Sequence, residues 1–266
     1  MPLTQFQKKL ARLLAANRSP ESHLAGGAAL HFSPNSRRYS NDLDYFHDSE
    51  KLVGEAFAAD RATIRSAGLE TEVEMTQPGY VRAVVRKGKD STKVEWAHDS
   101  AWRFMPAVRD PEVGYTLHPV DLALNKVLTL AGRDEARDFL DVVTVHEELL
   151  SLGALLWAAV GKDAGFTPLS LLELVRRRGQ YRPEDFAPLR LAVPIDLTAM
   201  KETWLGALED AAAFVRGRPA AEAGCLYFSA SKRRFVTPAP GAPADAAVHF
   251  GRPGGVLPRL YSSDSL

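Results

Sequence analysis

Two aspartates, Asp42 and Asp44, stand two residues apart in the segment NDLDYFH, shortly after the adjacent glycines Gly26 and Gly27. The alternation in this segment predicts a strand, on which residues 42 and 44 point to the same face. Two neighbouring carboxylates repel each other unless a cation lies between them, and hard divalent ions such as Mg²⁺ are bound by carboxylates, substrate phosphate oxygens and water. A glycine backbone can approach a phosphate closely. The pattern therefore predicts a metal–triphosphate site, and the alternative is a tight turn followed by solvated acids.

The first part of the chain has the pattern of a mixed α/β domain, predicted over residues 1–115. An amphipathic helix with the stripe Phe6, Leu10, Leu13 and Leu14 precedes the glycine turn. After the acid-bearing strand we expect one further helix and then three strands, which turns at PG and KGKD separate. In chain order the predicted elements are a helix over 4–17, a helix from about 27, a strand over 41–47, a helix over 50–67 and strands over 69–77, 80–88 and 91–99.

The second part is predicted to be mainly helical over residues 116–220. Pro119 suits the first turn of a helix that Gly132 can end, and Asp134 can cap the next helix. Further helices are predicted over 151–161, 168–178 and 197–216. Residues 221–266 change in character, because a hairpin pattern is followed by a segment rich in Pro, Gly and Ala that we expect to be extended or partly disordered.

Composition limits the possible classes of protein. The 266 residues carry no formal net charge, so no whole-chain field attracts the protein to nucleic acid or to a membrane. The single cysteine, Cys225, excludes a disulfide framework within one chain and suggests a reducing compartment. No run approaches the roughly 18 apolar residues of a membrane span, and the start of the chain does not read as a signal peptide. We expect a cytoplasmic protein without membrane contact.

The segment GGAAL…RRYSNDLDYF resembles the first motif of the nucleotidyltransferase superfamily with a DNA polymerase β-like fold. More narrowly, it resembles the AbiEii/AbiGii (MenT-like) toxin family, whose pattern is G-G-x-x-L, a gap, and S-x-D-hydrophobic-D. The matching residues are Gly26, Gly27, Ser40, Asp42 and Asp44. The resemblance implies that the two acids bind the metal and that the glycines and Ser40 bind the nucleotide. The gap is slightly long, which suggests an extended loop that contains the arginines at 37 and 38.

Two later motifs of this family match Lys126 and the segment ARDFLDVV, with Arg137, Asp138 and Asp141. The resemblance implies that Lys126 binds nucleotide phosphates and that Asp141 is an active-site acid; Asp138 is the second candidate. From the residues alone, Lys126 lies on an apolar line with Leu122 and Leu130, so its amine either extends to solvent or meets an anion. Arg137 and Asp141 also fit an ordinary i, i+4 surface pair.

The superfamily adds a third metal-binding carboxylate on a neighbouring strand, and Glu95 is the candidate. The alternative for Glu95 is specific: a tight turn at 87–90 would place Arg82 opposite it, in a cross-strand salt bridge. Both interpretations remain open from the sequence.

Two basic clusters, RRRGQYR at 176–182 and SKRRF at 231–235, interleave positive charge with Tyr181 and Phe235. Phosphate neutralisation next to stacking aromatics suits an RNA groove, although a solvated helix end has the same composition. The candidate RNA contacts are Arg177, Arg178, Arg182, Lys232, Arg233 and Arg234.

The resemblance implies an α+β protein, in which a polymerase β-like mixed sheet with flanking helices precedes a mainly helical region. It implies an enzyme that uses Mg²⁺ or Mn²⁺ to transfer a nucleotidyl group from an NTP, with a tRNA 3′ end as the acceptor and a neutralising antitoxin encoded nearby. The alternatives are transfer to a small molecule or a protein, and a non-catalytic module of the same fold that binds RNA or a partner.

Overall fold

The computed structural model describes residues 3–32, 36–239 and 246–259. The chain forms two compact units. The first contains the residues up to Leu122 together with Leu189–Pro194 and Pro253–Gly255. The second contains Ala123–Pro188, Ile195–Arg252 and the described residues from Val256 onward. The units divide at residues 122 and 123, whereas the sequence predicts a boundary at 115, and the segment predicted as a separate tail contributes to both units.

The helices and strands follow the predicted order closely. The helices are α1 (Gln5–Leu14), α2 (Gly26–Leu30), α3 (Glu50–Ser66), α4 (Pro119–Gly132), α5 (Ala136–Glu148), α6 (Leu152–Lys162), α7 (Pro168–Arg176), α8 (Pro183–Phe186) and α9 (Leu197–Gly217). The strands are β1 (Ser22–Ala25), β2 (Asp42–His47), β3 (Glu70–Gln77), β4 (Tyr80–Lys87), β5 (Asp90–His98), β6 (Trp102–Arg103), β7 (Val108–Asp110), β8 (Gly114–Thr116), β9 (Cys225–Ser229), β10 (Arg234–Val236), β11 (Ala247–Phe250) and β12 (Arg252–Pro253).

The first unit is built on a seven-stranded mixed sheet in the order β3-β4-β5-β2-β1-β8-β7. Strand β2 runs parallel to β5 and antiparallel to β1, and β1 runs parallel to β8. Strands β3, β4 and β5 form a meander, because the two tight turns that the sequence predicts join antiparallel neighbours. The acid-bearing strand β2 therefore lies in the interior of the sheet, with β1 on one side and β5 on the other.

The two faces of this sheet differ in polarity because side chains alternate along each strand. One face is apolar and packs under α1 and α3, with Leu43, Tyr45, Val94 and Trp96 fully buried. The opposite face carries the half-buried residues that alternate with these along the strands, including Asp42 and Asp44. The hydrophobic effect of one face thus fixes the direction in which the acids point.

A buried polar network ties the apolar face together. The carboxylate of Asp60 in α3 accepts hydrogen bonds from Trp96 Nε1 at 2.7 Å, Arg18 Nη2 at 2.5 Å and Asn17 Nδ2 at 2.8 Å. The Arg18 guanidinium also lies 4.3 Å from the centroid of the Tyr45 ring. Burial raises the pKa of Asp60, while Arg18 opposes the shift. The pairing satisfies a carboxylate that would otherwise be costly to bury.

The second unit contains most of the later helices and a small sheet in the order β10-β9-β11. Glu135 is the N-cap residue of α5, so the prediction that Asp134 caps this helix is wrong by one residue. Asp134 instead accepts a hydrogen bond from the Tyr181 hydroxyl. Residues 247–250, predicted to be extended or disordered, form β11 and pair with β9. A long-range pairing of this kind leaves no mark on local composition.

Within the part of the chain that the structure describes, none of the helices combines the length and the apolar character that crossing a bilayer requires.

Two buried histidines make the stability of the first unit depend on pH. Burial, with the nearby Arg18, lowers the pKa of His47 to about 3, and burial, with Arg103, lowers the pKa of His23 to about 4. The unfolded chain binds these protons near pH 6.5 and the folded chain does not, so stability is present above pH 6.5 and is lost as the pH falls below it. Each histidine should cost about 2 kcal/mol by pH 5.

Urea unfolding at pH 8 and pH 5 checks this expectation. His47→Leu removes one titrating group whose two ring nitrogens have no hydrogen-bond partner in the described residues. The variant should lose about 2 kcal/mol less than the wild type between the two pH values. The matched control is His98→Leu, since His98 pairs with His47 across β2 and β5 but is exposed. Equal pH dependence in the wild type and His47→Leu would contradict the assignment.

Candidate active site

The backbone at Gly26 lies directly against the carboxylate of Asp44. Antiparallel pairing places Ala25 opposite Asp44, so the chain leaves β1 beside this side chain. Gly26 has a φ of +58°, and a Cβ at this position would lie 1.9 Å from Asp44 Oδ2. Only glycine satisfies both conditions, since other residues are strained at this φ and would collide with the acid. The glycine that the sequence motif contains is therefore required by the position of Asp44.

Gly27 lies against Ser40, which in turn contacts the second acid, Asp42. A Cβ at Gly27 would lie 3.0 Å from Ser40 Oγ and 3.2 Å from Arg38 Nη2. The Ser40 hydroxyl donates a hydrogen bond to Asp42 Oδ1 at 3.2 Å, and Ser40 is buried. The hydroxyl thus orients Asp42. The nucleotide contact predicted for Ser40 stays a prediction, because the hydroxyl already has this partner.

The loop before Ser40 is held in place from two directions. The side chain of Gln7 in α1 donates to the Ser40 carbonyl and to Thr92 Oγ1, both at 3.2 Å. On the other side, Tyr39 N donates to the Arg190 carbonyl and Ala192 N donates to the Arg37 carbonyl, each at 2.8 Å. The segment Leu189–Pro194 therefore pairs with the loop, although about 150 residues separate them in sequence.

Sequence reasoning missed Gln7, yet a signal was present. Leu3, Gln7, Leu10 and Leu14 follow helical spacing, and all four are buried. The stripe predicted from the sequence is displaced by one position from the buried face of α1, since its members Phe6 and Leu13 are only half-buried. A glutamine on the buried line of an amphipathic helix needs polar partners, and here these partners are the acid-bearing loop and β5.

Glu95 lies beside Asp44 on the same face of the sheet. The two residues are paired in register across the parallel strands β2 and β5. Arg82 is opposite Glu95 on β4, and its Nε lies 2.9 Å from Glu95 Oε1. The cross-strand salt bridge that the sequence offered as the alternative is thus present. The role of Glu95 as a metal ligand remains a prediction.

The residues around Asp42 and Asp44 fit a divalent ion that the substrate helps to bind. Both carboxylates are half-buried on one strand face, and any side chain at position 26 would collide with Asp44. The described residues contain no group of three or more His, Cys, Asp or Glu side chains with the geometry of a metal site. Two carboxylates with phosphate oxygens and water are a usual ligand set for Mg²⁺, whereas an all-protein cage is not.

In the second unit, Lys126 is buried between two acids. Its Nζ lies 2.8 Å from Asp141 Oδ2 and 3.4 Å from Asp138 Oδ1. Arg133 Nε contacts the other oxygen of Asp138 at 2.7 Å. Both aspartates are fully buried. The amine on the apolar line of α4 therefore meets anions of α5 rather than solvent, and Asp138 links it to Arg133.

Arg137, the first residue of the predicted motif, has a neighbour outside that motif. Its Nε lies 2.6 Å from Glu135 Oε2. Of the three charged residues in ARDFLDVV, the two aspartates are the ones that the structure places at Lys126.

The two basic clusters differ in what the structure leaves exposed. Tyr181 is buried against Phe139 and Phe186 and binds Asp134, so its predicted stacking role is wrong. The guanidinium of Arg178 donates to the carbonyls of Leu130 and Ala131 at the end of α4. Predicted RNA contacts that are exposed are Arg177, Arg182, Lys232, Arg233 and Arg234. Phe235 is half-buried against Phe228 and His249.

The mixed sheet with flanking helices, and the acids on its central strand after a glycine turn, define a protein of nucleotidyltransferase fold, as predicted. Among solved structures, MenT4, a nucleotidyltransferase toxin from Mycobacterium tuberculosis H37Rv, is similar with a TM-score of 0.53 and 19% identity, over 81% of this chain and 83% of MenT4. JHP933 from Helicobacter pylori overlaps more loosely, with a TM-score of 0.46 and 17% identity over 78% of this chain and 92% of its own. No protein-family model and no curated protein sequence matches the chain.

Substitution of Gly26 by alanine tests the contact with Asp44. The new Cβ would collide with the carboxylate and adopt an unfavourable φ, so we expect a loss of roughly 1–3 kcal/mol in the free energy of unfolding. The matched control is Gly54→Ala in α3, where a Cβ meets no atom within 4 Å, and it should be neutral or stabilising. Equal urea midpoints for the two variants would contradict this geometry.

Removal of the Lys126 charge tests the buried network. Lys126→Met removes the cation that contacts both buried carboxylates, and breaking a buried pair costs about 3–5 kcal/mol. Addition of Asp141→Asn should recover part of this loss, because it removes the uncompensated charge. Lys51→Met, which breaks an exposed pair with Glu55, is the control and should change stability by less than about 1 kcal/mol. Additive losses in the double variant would show that Lys126 and Asp141 do not depend on each other.

Proposed function

We propose that the protein is a nucleotidyltransferase that moves a nucleotidyl group from an NTP to an acceptor hydroxyl and releases pyrophosphate. The observation that carries this proposal is the position of Asp42 and Asp44, which share one face of a central strand beside the bare backbone of Gly26. Two adjacent carboxylates on one strand face repel each other, and a divalent cation between them would remove this repulsion. The fold shared with MenT4 supports the same reaction.

The proposal gives separate roles to residues of the first unit and of the second unit. Asp42 and Asp44 would hold Mg²⁺ or Mn²⁺, and the chemistry that such an ion supplies is activation of the acceptor hydroxyl and neutralisation of phosphate charge. Ser40 keeps Asp42 in its orientation, and the backbone amides of Gly26 and Gly27 would bind the triphosphate, as the family resemblance implies. Lys126, positioned by Asp141, would bind phosphate oxygens, as the family resemblance implies.

We further propose that the acceptor is RNA, specifically a tRNA 3′ end, and that the protein acts as a toxin in the cytoplasm with an antitoxin encoded nearby. Support comes from the motif resemblance and from the fold shared with MenT4, which is named as a nucleotidyltransferase toxin. The exposed Lys232, Arg233 and Arg234 at the β9–β10 turn offer positive charge to a phosphate backbone.

A non-catalytic module of the same fold is the second candidate. The observation in its favour is that Glu95 is paired with Arg82, while the described residues show no group of three metal-binding side chains. Such a module would bind RNA or an NTP without turnover. Transfer to a small molecule or a protein is the remaining alternative within the enzyme class.

Incubation of the purified protein with Mg²⁺, each α-³²P-labelled NTP and total tRNA should give labelled RNA. Asp44→Asn should lower the labelling rate by at least about 100-fold, because the acid pair loses one charge where the metal is bound. The control is Asp90→Asn, since Asp90 is exposed at the start of β5 and should leave the rate unchanged. Labelling by Asp44→Asn at the wild-type rate would exclude the assigned role of this acid.

The same assay separates the alternatives. A small-molecule or protein acceptor is indicated if label leaves the NTP only when a cell extract replaces tRNA. If calorimetry detects NTP binding without added Mg²⁺ and no acceptor becomes labelled, the non-catalytic module is supported instead.

A further inference from the structure

A row of polar side chains crosses the acid-bearing face of the sheet. In-register pairs connect Asp44, Glu95 and Arg82 on the neighbouring strands β2, β5 and β4. Residues paired in this way point to the same face. With strands about 4.8 Å apart, the Cα of Arg82 lies about 10 Å from that of Asp44. The guanidinium therefore belongs to the same surface as the acid pair.

The carboxylate of Glu95 has partners on the side away from Asp44. Arg82 Nε lies 2.9 Å from it, and the Tyr80 hydroxyl lies beside both charged groups. Burial and the Glu95 carboxylate raise the pKa of Tyr80 to about 12, so its hydroxyl stays protonated and can donate. The Arg82 guanidinium also lies 5.5 Å from the Tyr80 ring centroid. Tyr80 and Glu95 thus hold Arg82 from two directions.

Arg82 retains hydrogen-bonding capacity in this arrangement. A guanidinium has five N–H donors, and Glu95 engages the Nε edge. The side chain is 33% exposed, so its remaining donors are accessible from the polar face. Lys93, paired with Asp42 on the same face, has no ion-pair partner among the described residues. The acid pair alone is enough to bind a metal ion. Cations on both sides of the pair therefore suit a ligand that carries several phosphates.

We propose that Arg82 contacts a phosphate group of the bound substrate and that Glu95 is a positioning residue for Arg82. This inference rests on the proposed function, because it takes the substrate to carry phosphates. The phosphate can belong to the nucleotide or to an RNA acceptor, and the chemistry of recognition is the same. The planar fork of arginine suits a phosphate, and a lysine at this position would reproduce the charge but not the fork.

The test compares Arg82→Gln, Arg82→Lys, Glu95→Gln and the double variant Arg82→Gln/Glu95→Gln by calorimetry. The probes are tripolyphosphate with Mg²⁺ for the nucleotide and total tRNA without Mg²⁺ for the acceptor. Arg82→Gln should weaken binding of one probe about 10-fold, and Arg82→Lys should recover only part of the loss. Glu95→Gln should weaken the same probe, and the double variant should bind no worse than Arg82→Gln, because both changes remove one contact.

The matched control is Arg86→Gln. Arg86 lies on the same strand and the same face, and it forms a similar cross-strand pair with Glu72 at 3.1 Å. It is four residues further along β4, which is about 13 Å from Arg82. A merely structural salt bridge predicts equal, small effects for Arg82→Gln and Arg86→Gln, and this result would overturn the proposal.

A magnesium titration of tripolyphosphate binding distinguishes positioning from metal ligation by Glu95. If Glu95 positions Arg82, Glu95→Gln leaves the Mg²⁺ midpoint unchanged. A several-fold higher midpoint in Glu95→Gln, with no shift in Arg82→Gln, would show that Glu95 binds the metal and would overturn the positioning role. Loss confined to tripolyphosphate assigns the phosphate to the nucleotide, and loss confined to tRNA assigns it to the acceptor.

The outcome is separable from that of the proposed function. If the wild type labels RNA but Arg82→Gln binds both probes normally, this inference fails while the transferase activity stands. If no acceptor is labelled and Arg82→Gln still loses affinity, the phosphate contact stands in a non-catalytic module.

Discussion

The close approach of Gly26 to Asp44 is the constraint on which the arrangement of the site depends. Pairing of β1 with β2 places Asp44 opposite Ala25, the last residue of β1, and the chain must turn there within one residue. A left-handed φ and the absence of a Cβ allow this turn without displacing the carboxylate. The next residue, Gly27, then leaves room for Ser40, which orients Asp42. The backbone geometry at the two glycines and the hydroxyl of Ser40 thus help to set the positions of the two acids.

The opposite face of the sheet supplies the rigidity that such a site needs. Leu43 and Tyr45 alternate with the two acids on β2, and both are fully buried under α1 and α3. A shift of one residue in the register of β2 would place the acids in the core. Burial of the apolar face therefore requires that the acids point to the opposite face. Gln7 extends the coupling, because it belongs to the packed line of α1 and holds the Ser40 carbonyl. Core packing and the orientation of the site are therefore linked through one side chain.

The features that the sequence predicts correctly are those set by local spacing. Alternation predicts the strand with Asp42 and Asp44, and the short turn at 87–90 fixes the register that places Arg82 opposite Glu95. Contacts between distant segments could not be predicted, because no local pattern encodes the pairing of Leu189–Pro194 with the loop before Ser40. The basic cluster with Tyr181 shows the same limit. An exposed groove and a helix end can have the same composition. Only the packing of the Tyr181 ring against Phe139 shows that this ring is buried.

The charges around Lys126 explain how its amine is held in place in the absence of a ligand. Lys126 lies between Asp138 and Asp141, and Arg133 contacts Asp138 as well as Glu135. An ammonium group has three N–H donors, and the two aspartates account for two of them. A phosphate oxygen could take the third donor without displacing Asp141, and the amine would already have its final orientation. If Lys126 binds a phosphate as proposed, the aspartates would contribute to binding by removing the entropic cost of ordering the lysine side chain, which is large for a long and flexible chain.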